Sequence, residues 1–257
     1  VKVELIDSMG NDLTVVNAAR VSMDKESEWI ETCSCGTVRD KTVLNEWPGC
    51  GADVRTCPTR VKRSISTQDQ KLTTYLAKHN HFTPFTHCTI TLRETVPIFV
   101  ARQRFKHVVG FTYNEVSRRY VDGTPDFHIP EVWRKRTENV KQGSSDEEVI
   151  EFPDHGFYAA CGDKIADAYR DHLVSSGALY NDMLHAGVAP EQARMVLPQS
   201  MMTSYYVTGS LYAFARAYLL REDSHSQKEI RDLASEWDKI IRPLFPVSWA
   251  ALVGEVK

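Results

Sequence analysis

The chain has 257 residues, 42% of them hydrophobic and 25% charged, enough to bury a core as one large domain or two small ones. Lys and Arg total 31 against 34 Asp and Glu, and a net charge of −3 excludes a nucleic-acid or anionic-membrane binder held by bulk charge. The longest apolar stretches, such as Thr95 to Ala101 and Leu211 to Leu220, fall short of the roughly 18 to 20 residues a membrane span needs, and Val1 opens no charged-then-apolar leader. A soluble, cytoplasmic protein is expected, with its 6 cysteines reduced.

In chain order, Val1 to Asp7 alternates apolar and polar residues as a half-buried strand does, and the small residues from Asn17 to Ser22 read as a turn. From Asp24 to Ser66 periodicity disappears among glycines and prolines, and this stretch reads as an insertion. Its Cys33, Cys35, Cys50 and Cys57 leave two readings open, a zinc site or a thiol-bearing surface loop, because the spacing does not repeat the paired Cys-x2-Cys of zinc ribbons. Thr67 to Lys78 reads as a helix, followed by His79, His81 and His87, and Cys88 to Thr95 alternates as a strand. Pro97 suits the first position of a helix carrying residues 98 to 106, and Tyr113 to Tyr120 reads as a polar loop leading to a strand.

Arg134 to Glu151 is charged and reads as an exposed, mobile connection, while Phe157 to His185 keeps a helical period as one long helix. Pro190 opens a short helix containing Ala193 to Leu197, Met201 to Val207 favours a strand, and Leu211 to Leu220 and Ser226 to Ile241 return to helical period.

Arg102, Arg104, Lys106, Arg118 and Arg119 crowd one segment and are joined by Arg194 and Arg221. Salt bridges and solvated faces account for single arginines, but for the set a phosphate-bearing ligand is more economical, since guanidinium forks match phosphate bidentately. Neither a Gly-x-Gly-x-x-Gly turn nor a P-loop occurs, so such a ligand must be gripped by side chains. Cys88 and Cys161 have no base beside them, which leaves a cysteine nucleophile without support, and no histidine spacing calls for a metal.

The run Ala101-Arg102-Gln103-Arg104-Phe105-Lys106-His107, followed by Tyr113-Asn114-Glu115-Val116-Ser117-Arg118-Arg119-Tyr120, resembles the signature of the flavin-dependent thymidylate synthases. Further blocks at 18–22, 81–87, 97–103, 193–198 and 220–230 follow in the same order. The resemblance implies a single domain over 1–257 with the cysteine-bearing insertion at 24–66, and a non-Rossmann α/β fold of α+β type. In that fold an antiparallel sheet packs with long helices, and homotetramers share active sites between subunits.

It also implies conversion of dUMP to dTMP with methylenetetrahydrofolate as carbon donor, FAD as redox carrier and NADPH as reductant. The dUMP contacts carried over are Gln103, Arg104, Phe105, Lys106, Glu115, Val116, Ser117, Arg118, Arg119, Arg194 and Arg221, with Arg221 catalytic and Ser117 a contact and not a nucleophile. The FAD contacts carried over are Thr83, Lys106, His107, Val108, Glu115, Ser210, Leu211, Tyr212 and Arg216. The sequence departs from the family's Arg-His-Arg by carrying Lys106-His107-Val108, and eight residues, not seven, precede Ser117. The competing expectation is a nucleic-acid-binding module with a cysteine-rich zinc insert.

Overall fold

The computed structural model describes residues 1–32, 62–137, 143–153, 156–162 and 164–255. Cys33, Cys35, Cys50 and Cys57, and with them the zinc reading, lie outside the described residues. The described chain divides into two compact units, each drawn from several segments.

The chain opens with β1 (Lys2–Met9) and then, where a turn was expected, a helix, α1 (Asp12–Arg20). Asn11 supplies the reason: its side chain accepts from the Thr14 amide while Thr14 returns the bond to the Asn11 amide, a reciprocal cap that starts the helix before the small residues are reached. β2 (Ile30–Thr32) pairs antiparallel with β3 (Lys62–Ser64), so the two ends of the expected insertion form a ladder. α2 (Thr67–Lys78) is capped by Ser66, and the short α3 (Thr83–Thr86) precedes β4 (Thr89–Pro97). Pro97 ends that strand and caps α4 (Ile98–Arg104) instead of occupying its first position.

β5 (Phe111–Glu115) corrects the reading of Tyr113 to Tyr120: the strand comes first, and the polar turn follows it. Arg134 to Glu151 contains a hairpin of β6 (Arg134–Arg136) and β7 (Ser144–Glu148), held by polar pairs such as Lys135 with Glu147 at 2.9 Å. The expected long helix is two helices, α5 (Phe157–Cys161) and α6 (Ile165–His185), because Gly162 takes a left-handed φ of 75° and ends the first. α7 (Pro190–Ala193), β8 (Met202–Ser210), α8 (Leu211–Arg221), α9 (Lys228–Leu244) and α10 (Pro246–Val253) complete the chain.

The first unit takes in Val1–Asp7, Ile90–Gly209 and Arg216–Lys239. The main sheet has the order β1-β4-β8-β5. β5 runs antiparallel to β8, and the side-chain pairs Thr91 with Thr208 and Thr95 with Ser204 give β4 the same sense against β8. This is the non-Rossmann, antiparallel arrangement expected. On β4 the inward positions are Ile90, Leu92, Glu94 and Val96, so a carboxylate is carried into the core in phase with three apolar residues. Burying it uncompensated would be costly. Glu94 instead accepts from Arg104 Nε at 3.1 Å, Tyr205 Oη at 2.6 Å and Trp237 Nε1 at 2.9 Å, every partner buried.

The second unit takes in Ser8–Thr89, Ser210–Ala215 and Ile240–Lys257, with α10 against α2. Buried Asp12 accepts from the Val247 and Ser248 amides at 3.0 and 2.8 Å, capping a helix whose own Phe245 offers no side-chain cap. Buried Asp69 gathers Arg20, Ser27 and Ser66; burial alone would raise its carboxyl, but these donors hold it below the ordinary aspartate range.

Candidate functional site

The end of β4, helix α4 and the residues before β8 are tied by main-chain bonds, Ile98 N to Met201 O at 2.9 Å and Phe99 N to Gln199 O at 3.1 Å. Across β8, the Val116 amide donates to Ser204 O at 2.9 Å, which fixes the start of the turn that carries Ser117 and Arg118. Between these supports lies a pocket of about 520 Å³ whose polar lining is Arg102, Glu115, Ser117, Arg118, Arg194 and Thr203. Ile98, Phe105, Leu197 and Met201 are among its apolar walls.

Six of the expected nucleotide contacts, Phe105, Glu115, Val116, Ser117, Arg118 and Arg194, meet here, although Arg194 comes from far along the chain. Glu115 is held by Thr203, whose hydroxyl donates to Oε1 at 2.6 Å. The Arg118 guanidinium donates to the Gly123 carbonyl, and Arg194 Nε donates to Glu191 O at 3.2 Å. Each arginine is thus anchored at one nitrogen, which leaves the rest of its fork for a ligand. Arg119 does not line the pocket; its amide and Nε donate to Ser117 Oγ at 3.4 Å, and its guanidinium lies 5.2 Å from the Tyr120 ring centroid.

Gln103 and Arg221 line a different pocket, of about 430 Å³, with Gln227 and His225. Among the described residues none lines both pockets. Gln103 Nε2 donates to Gln227 Oε1 at 2.6 Å. Arg221 donates from Nε to His107 Nε2 at 2.8 Å and from its second terminal nitrogen to Gln103 O at 3.3 Å. Burial, reinforced by the charges of Arg221, Arg104 and Arg216, pushes the His107 imidazole down to about 4, so the ring is neutral and accepts.

Arg104, expected among the nucleotide contacts, faces the core at 0% exposure. It donates to Glu94 and, at 2.6 Å, to Tyr113 Oη, and Tyr113 in turn donates to His107 O at 2.7 Å. Burial pushes the Tyr113 phenol up to about 12, which keeps it a donor. Arg104 therefore supports the turn at His107 from below and lies outside both pockets.

The expected flavin contacts fall in both units. Lys106 and Arg216 are exposed cations, and Val108 and its neighbour Val109 are 66% and 68% exposed. In the second unit Thr83 is exposed, and Tyr212 stacks on Phe82 with centroids 5.3 Å apart. Ser210 and Leu211 are otherwise engaged: Ser210 Oγ accepts from the Ala213 amide at 3.2 Å, and Leu211 is buried with its amide on Cys88 O at 2.9 Å. Among the described residues no group of three or more His, Cys, Asp or Glu side chains is placed to hold a metal.

Sequence reasoning missed Glu94, Tyr205 and Trp237. Glu94 was detectable, since strand alternation puts it on the core face and so demands a buried cation. Thr203, which orients Glu115, carries no sequence signal of its own, and Gln227, which orients Gln103, stood in the 220–230 block without a role.

The family model described as "Thymidylate synthase complementing protein" matches residues 4–247. The chain is 33% identical over 252 residues to a flavin-dependent thymidylate synthase of Thermotoga neapolitana, covering 98% of this chain and 90% of that protein. It is 32% identical to one of Thermus thermophilus, covering 97% and 74%. In structure it is similar to a UMP/dUMP methylase, PolB from Streptomyces cacaoi, bound with 5-Br dUMP, at a TM-score of 0.68 and 26% identity over 97% of this chain and 93% of that one.

Proposed function

The chain belongs to the thymidylate synthase complementing protein family, and from that premise we propose that it converts dUMP to dTMP, with methylenetetrahydrofolate as one-carbon donor, FAD as redox cofactor and NADPH as reductant. The observation that carries this reading is the gathering of Ser117, Arg118 and Arg194 in one pocket with apolar walls, where guanidinium forks and a hydroxyl meet a phosphate.

In this reading Ser117, Arg118 and Arg194 bind the nucleotide phosphate, with Arg119 orienting the Ser117 hydroxyl, and Phe105 and Val116 exclude water beside it. Arg221 faces the pyrimidine. Its guanidinium is aimed by the neutral His107 ring and the Gln103 carbonyl, so a fixed positive charge stabilises negative charge that develops on the uracil as C5 attacks the one-carbon unit. Ser117 is a contact and forms no bond to the nucleotide.

The flavin fits the residues present: exposed Val108 and Val109 offer apolar surface, and exposed Lys106 and Arg216 offer cations, a donor set suited to a flat ring system that carries a pyrophosphate. Lys106, His107, Val108 and Arg216 would hold it, and Thr83 and Tyr212 are proposed as further contacts from the family resemblance alone. FAD, when bound, supplies the two-electron chemistry that links NADPH to the one-carbon unit.

We propose further that the chain works as a single domain and assembles as a homotetramer with shared sites. Two observations support the assembly: the expected nucleotide contacts are split between two pockets of one chain, and the edge strand β1 leaves Leu5 and Ile6 each 43% exposed on its opposite faces. No helix among the described residues is long and apolar enough to cross a membrane, and a cytoplasmic place suits nucleotide synthesis.

A visible absorption spectrum of the purified protein, repeated after adding FAD, tests the reading. A yellow protein that bleaches with NADPH is expected. A protein that stays colourless with FAD present, and binds nucleic acid with a steep salt dependence, would overturn it in favour of the nucleic-acid module.

A further inference from the structure

We infer that Arg102 is a third phosphate ligand of the nucleotide pocket and sets its preference for a nucleoside monophosphate dianion; the inference rests on the dUMP reading and adds a residue to it. Arg102 and Arg104 are two positions apart on α4, so they stand about 200° apart around the helix. Arg104 consequently turns into the core and meets Glu94, while Arg102 is exposed and lines the pocket with Ser117, Arg118 and Arg194. Among the described residues the Arg102 side chain meets no carboxylate and makes no hydrogen bond.

The charge balance of the pocket identifies its occupant. Among the described residues of one chain its lining carries three guanidiniums, Arg102, Arg118 and Arg194, and one carboxylate, Glu115, which leaves two positive charges. A phosphomonoester carries about −1.5 to −2 at pH 7. The monophosphate dianion therefore neutralises the pocket, whereas a nucleoside leaves three mutually repelling cations and a diphosphate overshoots. Without Arg102 the balance falls to a single positive charge, which a dianion does not match. The apolar walls at Ile98, Phe105, Leu197 and Met201 raise the weight of each charge by keeping water away.

Calorimetric titration of the FAD-loaded protein with dUMP, with deoxyuridine and with inorganic phosphate separates the possibilities. Arg102→Gln should weaken dUMP and phosphate by about 10- to 100-fold, as expected for one lost charge-assisted contact, and leave deoxyuridine affinity where it was. Arg102→Lys should recover part of the loss, and in turnover the loss should appear chiefly in KM for dUMP. An R102Q protein that binds dUMP as tightly as the unaltered chain, or that loses deoxyuridine equally, would remove Arg102 from the phosphate site while leaving the function standing. An unaltered protein that binds neither dUMP nor phosphate would bring down the nucleotide reading and this inference together.

Discussion

Arg221 donates through Nε to Nε2 of His107 at 2.8 Å, so the imidazole keeps its proton on Nδ1 and acts as the acceptor that aims the guanidinium. The bond cannot survive protonation of the ring, because two donors would then face each other. Charge on the imidazole is opposed by burial and by Arg221, Arg104 and Arg216.

The folded His107 ring should therefore titrate at about 4, against 6.5 for the free side chain. Between those values the unfolded chain binds a proton that the folded chain refuses. The contribution of this site to stability is thus complete above pH 6.5 and is lost as pH falls towards 4. An NMR titration of the His107 ring carbons checks this; a midpoint near the free value would mean that Arg221 is not held as described.

Arg221→Ala should keep its flavin but turn over slowly, by roughly 30- to 1,000-fold, as expected when a preorganised charge worth about 2 to 4 kcal/mol of transition-state stabilisation is removed. Flavin content and turnover measured on one preparation decide the matter. Near-normal turnover by the folded variant would take Arg221 out of the chemistry.

Arg104→Met should destabilise the fold by about 3 to 5 kcal/mol, because it leaves the Glu94 carboxylate in the core without its cation. Chemical denaturation reads the change directly. A loss below about 1 kcal/mol would show that Tyr205 and Trp237 satisfy Glu94 by themselves.

Asp12→Ala should cost about 1 to 2 kcal/mol, since the Val247 and Ser248 amides lose their only side-chain cap and α10 its opening charge. Asp12→Asn should retain part of that. Equal stability of the alanine variant and the unaltered chain would contradict the assignment of this remote cap.

Where apolar periodicity sets an element, the sequence predicts it: β4, β8 and α8 follow their alternation or helical spacing closely. The β6 and β7 hairpin escaped because its strands are joined by polar pairs, Lys135 with Glu147 and Arg134 with Ser144, which a polar run does not announce. The break at Gly162 escaped because the hydrophobic period runs on through it, although the left-handed backbone there stops α5. The candidate site divides in the same way. The cations that line the Ser117 pocket were legible as a cluster, but which arginine enters the pocket and which enters the core depended on the helical phase of Arg102 and Arg104. Pairing of Gln103 with Gln227 and of Glu115 with Thr203 is set by tertiary contacts across long sequence distances.

The central claim, methylation of dUMP at C5, is tested most directly by incubating the FAD-loaded protein anaerobically with NADPH, methylenetetrahydrofolate and dUMP tritiated at C5, and following tritium release together with dTMP formation. Tritium should be released in step with dTMP, and both should depend on the folate. Retention of all the tritium by a flavin-loaded, folded protein with every substrate present would contradict it.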